Sequence, residues 1–392
     1  MLYLLDKGYI EHLSGKYTES IKTLEQAKLK FDELYTKSIT KIAATWVIND
    51  YAAPYHGEDF ERIFINIFQA LNYLMLGEYA EAMVEARDVD SKLNAINDQY
   101  PEEQKNVYKE DAFVRMLMGI FYEAGNTDED INDAYISNVK AIEIYERDYA
   151  NYYDTQLPEI LKENTLSTAR FMGLFEFGKY RSKFNNTKFY TIEEKRQKSE
   201  VYLIQYNGIS PAKVEESVMI PTLDGNVVKV AFPRYESRSY TVDGSRLSAK
   251  SLQGNIFECR TELGQNIGAI ARKNLEKRKL RFIAKSTARA AGRYLVEQKQ
   301  TENIEKKHGN KAAEWFNFLF NIYNIVVEQA DLRCWKTLPD QIRISRLILE
   351  PGKYEFNLEN FSRSGEHLGQ ITLTEKTVTA GEKVFFLVHT AR

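Results

Sequence analysis

Two glycine turns near the start constrain this chain most. Leu13-Ser14-Gly15-Lys16-Tyr17 is followed by Ser20 and Ala27, and Leu76-Gly77-Glu78-Tyr79 by Ala82 and Ala86. Each glycine stands between two runs of apolar residues at helical spacing. Glycine accepts the left-handed backbone that reverses a chain sharply. The aromatic and small residues beyond it let a second helix pack closely on the first. The pattern predicts helical hairpins, elements that present surface to partners.

Helical periodicity fills most of the first 180 residues. Segments near 2–14, 17–35, 59–76, 79–96, 107–124 and 130–150 pair into three hairpins turning at Gly15, Gly77 and Gly125. Extra helices are expected near 37–49 and 157–180, and the stretch Gly125-Asn126-Thr127-Asp128-Glu129-Asp130 as a longer acidic turn. The signature is tetratricopeptide-like, but the glycines lie 62 and 48 residues apart. Tandem units recur every ~34 residues, so the array is irregular.

From about residue 198 the period changes to that of strands. Val201 to Tyr206, Val218 to Ile220 and Val227 to Phe232 are strand-like, with Asp224-Gly225 as a hairpin turn. Residues 236–260, rich in Ser, Arg and Gly, read as an extended loop with short strands. Helices are expected at 264–299 and 303–331, the first with small residues for close packing. Strands resume at Ile342 to Leu349, Tyr354 to Leu358, Gln370 to Leu373 and Val384 to Val388, with a turn at Pro351-Gly352, as in a small β-sandwich. The expected class is therefore α+β: tetratricopeptide-like helical hairpins over 1–195, then a β-rich domain over 196–392 carrying two long helices.

At 392 residues and 43% hydrophobic the chain is long enough for a full core and two or three domains. Charge is divided unevenly: residues 1–150 hold 28 acids against 15 bases, and the remainder 28 acids against 38 bases. An acidic helical module and a basic remainder can attract each other or separate partners. Cys259 and Cys334 are too few for a disulfide framework or a thiolate metal site, and are expected as separate thiols. Met1 to Lys7 lacks the basic start and apolar stretch of a signal peptide, whereas Leu2, Leu5, Tyr9 and Leu13 have the chain opening inside a helix, as a piece cut from a longer protein would. Trp315 to Val327, interrupted by asparagines, is too short to span a bilayer.

Further stretches point in one direction together: Pro54-Tyr55-His56-Gly57-Glu58-Asp59-Phe60-Glu61, then Ala70 to Leu74 running into Val84-Glu85-Ala86-Arg87, then Asp331-Leu332-Arg333-Cys334-Trp335-Lys336-Thr337-Leu338-Pro339. These resemble a family of poorly characterised bacterial envelope lipoproteins with a tetratricopeptide-like N-terminal region and a β-rich C-terminal part. The resemblance spans about residues 5 to 390. It implies a periplasmic or outer-membrane-associated setting, with membrane association only through a lipid anchor absent from this chain, and no catalytic motif. The chain departs from the family in lacking the lipoprotein signal and lipidated cysteine.

Candidate residues have bland and functional interpretations side by side. His56, Glu58, Asp59 and Glu61 fall within six residues, but acids crowding a helix N-terminus complement its dipole and cap free amides, and helix initiation is expected. Nine bases lie between Arg272 and Arg293 against the single acid Glu276, with Lys277, Arg278 and Arg281 central. They are expected as a solvated face or as a dock for an acidic protein surface; with only Phe282 and Tyr294 for stacking, no nucleic acid is expected. Trp335 is expected to cover a core edge while Asp331 and Arg333 pair. Phe64, Ile67, Leu71 and Leu74 align on one helix face and are the groove residues expected to receive a peptide or helix of another protein.

Phosphate loops, nucleophile elbows and paired metal-binding histidines are absent from the sequence, and no cofactor is expected. The expected function is a non-enzymatic interaction scaffold of the cell envelope. The alternatives are a glycan-acting enzyme using carboxylates gathered between the modules, or a structural subunit of a larger assembly.

Overall fold

The computed structural model of the chain describes residues 1–45, 54–55, 57–98, 108–221, 227–277, 299–301, 306 and 329–391, with side chains described except at 35–45, 97, 220–221 and 227–228. Helical hairpins come first: α1 (Leu2–Leu13) with α2 (Tyr17–Thr45), α3 (Asp59–Met75) with α4 (Tyr79–Asn97), and α5 (Ala112–Gly125) with α6 (Asp128–Ile144). Gly15 (φ 72°) and Gly77 (φ 77°) turn the first two in the left-handed region, as the sequence predicts. The third turn differs. Gly125 ends α5, and Asn126 takes the left-handed position at φ 63°. Thr127 Oγ1 then accepts from the Asp130 N–H at 3.1 Å while Asp130 returns the bond to the Thr127 N–H at 3.1 Å. This capping box makes the expected long acidic loop a tight turn.

Two other expectations are revised. The separate helix expected near 37–49 is in its described part a continuation of α2. After a π-helical turn at Tyr145–Tyr149 and the short α7 (Ala150–Tyr152), the helix expected over 157–180 is broken at Gly173 into α8 (Glu159–Met172) and α9 (Leu174–Lys183). A last short helix, α10 (Ile192–Arg196), leads into the strands.

The strands are β1 (Ser199–Asn207), β2 (Ala212–Pro221), β3 (Val227–Glu236), β4 (Val242–Ser251), β5 (Ile256–Arg260), β6 (Glu262–Asn266), β7 (Gln341–Leu349), β8 (Gly352–Ser362), β9 (His367–Val378) and β10 (Lys383–Thr390). Residues 236–260 are thus mostly ladder, with β4 pairing antiparallel to both β5 and β8. The 264–299 helix starts later than expected, because Gly264 to Asn266 belong to β6, and residues 267–277 are helical. Residues 278–298, most of 303–331 and the Asp224-Gly225 turn lie outside the described residues, and residues 329–331, expected to end the second helix, are not helical.

Two four-stranded sheets, ordered β10-β1-β7-β6 and β5-β4-β8-β9, stack on each other, and β2-β3 form a separate ribbon. β1 runs parallel to β10 and antiparallel to β7, and is buried along its whole length. A strand with both faces covered loses the polar alternation of a surface strand. Its Tyr202, Ile204 and Tyr206 pack into the helical core, while Val201 and Leu203 pack with Leu247, Phe356 and Leu358 of the second sheet. The layers are therefore helices, sheet, sheet, and the helical core runs without a break across the boundary expected at residue 195.

Candidate interaction site

The inner helices α1, α3 and α5 face the first sheet. Phe64, Ile67 and Leu71 have no exposed surface and Leu74 only 3%. The groove they were expected to line is not open, and these four are core residues, in one cluster with Tyr206 and Trp335. α3 is covered on its polar side as well as its apolar one, since Asn66, Gln69 and Asn72 are buried along with Ile63, Phe64, Ile65, Ile67 and Phe68. Trp335, 1% exposed, lays its ring 5.8 Å from Phe68, as its core-covering role requires. Gly264 of β6 sits so close to α5 that a Cβ there would stand 2.7 Å from the Phe113 ring.

Polar groups cross the same interface in matched pairs. His12 of α1 donates through Nδ1 to Asn72 Oδ1 at 2.6 Å and accepts at Nε2 from the Tyr206 hydroxyl of β1 at 2.7 Å. Burial drives its pKa down to about 4, so the ring is neutral near pH 7. Gln265 of β6 donates to Asp111 at 2.6 Å, and the Tyr145 hydroxyl donates to the Gly264 carbonyl at 2.7 Å.

The acidic start of α3 initiates the helix, as expected: the Glu61 carboxylate accepts from the Glu58 N–H at 3.0 Å. It also accepts from the Tyr55 hydroxyl at 2.5 Å and the Trp335 N–H at 2.6 Å. Burial, and then the Glu58 charge, push the Glu61 carboxyl up to about 7 against these hydrogen bonds. Glu58 in turn pairs with the buried Lys213 of β2. Both carboxylates are thus engaged in fastening α3 to the C-terminal half. His56 lies outside the described residues.

A second charged network ties α5, α8 and α10 to the first sheet. Lys195 bridges Glu123 and Glu200, the latter at 3.1 Å, and Lys383 bridges the same two carboxylates, Glu123 at 3.2 Å. Arg346 holds Glu200 at 2.9 Å and also Glu163 and Asn164. Burial would raise the Glu200 carboxyl, but Lys195, Lys383 and Arg346 hold it well below the usual carboxylate range. Strand register creates the cluster, since Lys383 lies beside Glu200, and Arg346 beside Tyr202. These residues were missed in the sequence. The sequence offered little signal, since Glu200 stands before the apolar run, directly after Lys198 and Ser199, and only its burial in a doubly covered strand requires counter-charges.

The remaining candidates lie apart from one another. Lys277 is exposed at the end of the helical residues 267–277, whereas Arg278 and Arg281 are outside the described residues. Arg333 pairs with Asp331 at 2.8 Å, and Cys259 and Cys334 are free thiols, as expected. Among the described residues no group of three or more His, Cys, Asp or Glu side chains could hold a metal ion, and no helix is long and apolar enough to cross a membrane. Exposed apolar side chains among the described residues include Tyr3, Ile10 and Leu13 on the outward side of α1, Val218 and Met219 of β2, Ile256 and Phe257 of β5, and Leu174 and Phe175 of α9. No family model, curated protein or solved structure matches the chain.

Proposed function

We propose that this chain is a non-enzymatic protein–protein interaction scaffold that receives a helix of another protein along the outward face of α1. The supporting observation is a second apolar stripe on a helix whose first is already used. Leu5, Tyr9 and His12 are buried, whereas Tyr3, Ile10 and Leu13 on another side of α1 are 73%, 55% and 37% exposed. In stacked hairpins each unit covers its neighbour, and a helix with apolar residues on two sides suits a position between two others. Among the described residues, α1 packs on α2 and α3 and leaves this stripe open. Resemblance to envelope lipoproteins supports the bacterial cell envelope as the setting.

The engagement of Glu58 and Glu61 in fastening α3 favours this over an enzyme built on those carboxylates. The test places a photo-crosslinking residue at Tyr3 in native envelopes. A discrete crosslinked partner is expected, and Ile10→Ala lowers its affinity by roughly 1–2 kcal/mol without changing the melting temperature. Absence of a crosslink, or one indifferent to Ile10→Glu, rejects the proposal.

A further inference from the structure

A different surface carries a second kind of contact. At Gly173 (φ 142°) the chain leaves α8 and enters α9, which begins with two of the most exposed apolar side chains among the described residues, Leu174 at 77% and Phe175 at 83%. The rest of the α9 apolar surface is covered. Tyr180 and Phe184 are buried, and Phe177 packs 5.7 Å from Phe189. Leu174 and Phe175 therefore form an exposed apolar tip at the start of α9.

Cations flank this tip. Lys179 follows Phe175 by four residues, so the two share a helix face. It is exposed, lies over the Tyr180 ring and has no ion pair among the described residues. Arg170, at the end of α8, is likewise exposed and without an ion pair among the described residues, with its guanidinium over Phe177 at 5.3 Å. The one acid on α9, Glu176, is turned back toward Gly173 at the helix start, where it complements the helix dipole. The start of α9 thus offers two projecting apolar side chains beside two exposed cations, each with its charged head over an aromatic ring.

We propose that Leu174 and Phe175 insert into the surface of an anionic lipid bilayer while Arg170 and Lys179 meet its headgroups. A protein partner would need a pocket matched to these two projecting side chains, whereas a fluid interface needs no matching shape, and exposed cations beside the apolar groups suit negative headgroups. The contact is weak and reversible, because two side chains bury less apolar surface than one acyl chain. It is independent of the proposed partner surface on α1.

Co-sedimentation with vesicles tests it, using phosphatidylcholine with or without phosphatidylglycerol. Binding to the anionic vesicles is expected, with little to the neutral ones. The double variant Leu174→Ser, Phe175→Ser should weaken it on the order of tenfold or more. Replacing Arg170 and Lys179 by Gln should weaken it about fivefold per base, and raised salt should weaken it further. Circular dichroism melts of both variants should match the parent chain, because the altered residues are exposed. A Phe175→Trp variant should be quenched by brominated lipid. Failure of the parent chain to bind anionic vesicles, equal binding to neutral ones, or binding unchanged by the Leu174 and Phe175 replacements would overturn the proposal.

Discussion

Replacing Glu61 by Gln should change how stability depends on pH. Glu61 is fully buried, and burial with the nearby Glu58 charge pushes its carboxyl from 4.5 up to about 7. A carboxyl whose folded pKa lies above its unfolded value holds its proton more tightly in the folded state. Its favourable contribution is therefore complete below pH 4.5 and is lost as pH rises through about 7. The difference between those values corresponds to about 3 kcal/mol. Gln carries no charge at any pH, but one of its two terminal atoms is a donor. Three donors converge on Glu61, from Tyr55, Glu58 and Trp335, so the variant also loses a hydrogen bond, a roughly constant cost of about 1–3 kcal/mol. The informative quantity is thus the difference in unfolding free energy between variant and parent, from urea titrations at about pH 4 and about pH 8. It should move in favour of Gln by about 3 kcal/mol from the lower to the higher pH. Ionisation of groups not coupled to Glu61, such as His12, occurs in both proteins and cancels, whereas the coupling to Glu58 is part of the difference measured. A difference that stays constant within about 1 kcal/mol would refute the assignment of a raised Glu61 carboxyl.

Arg346→Met removes the cation shared by Glu200 and Glu163, leaves buried carboxylate under-compensated, and should lower stability by about 3–5 kcal/mol in chemical denaturation. A loss below about 1 kcal/mol would mean that Lys195 and Lys383 suffice for Glu200. The glycines separate two kinds of cost. Gly264→Ala places a methyl group against Phe113 and should cost about 1–3 kcal/mol by overpacking, whereas a Cβ at Gly77 meets no atom within 4 Å, so Gly77→Ala should cost about 1 kcal/mol through its left-handed backbone alone. Equal losses from a clash would be read as a shared packing defect and would contradict the open space at Gly77.

What the sequence by itself determined is local. Gly15 and Gly77 reverse the chain because their neighbours are helix formers and their own backbone is free to turn left-handed, a property needing no distant residue. The runs at Val201 to Tyr206 and Ile342 to Leu349 became strands, and the acids before Phe60 started a helix, for similarly local reasons. Asn126 shows the limit of reading turns by glycine, because asparagine also tolerates the left-handed region and the Thr127 and Asp130 cap completed the turn. Residues 236–260 look like a loop in composition, yet β8 supplies a ladder partner that composition does not reveal. Tertiary structure decided which faces are covered. Periodicity places Phe64, Ile67, Leu71 and Leu74 on one face of α3, but only the fold buries that face in a core shared with Tyr206 and Trp335 and removes the expected groove. The buried charges follow the same rule: Glu123, Lys195, Glu200, Arg346 and Lys383 are scattered over 261 positions of chain and meet only through strand register and helix packing. Burial and charge pairing are relations between segments, so they arise only when those segments come together in space.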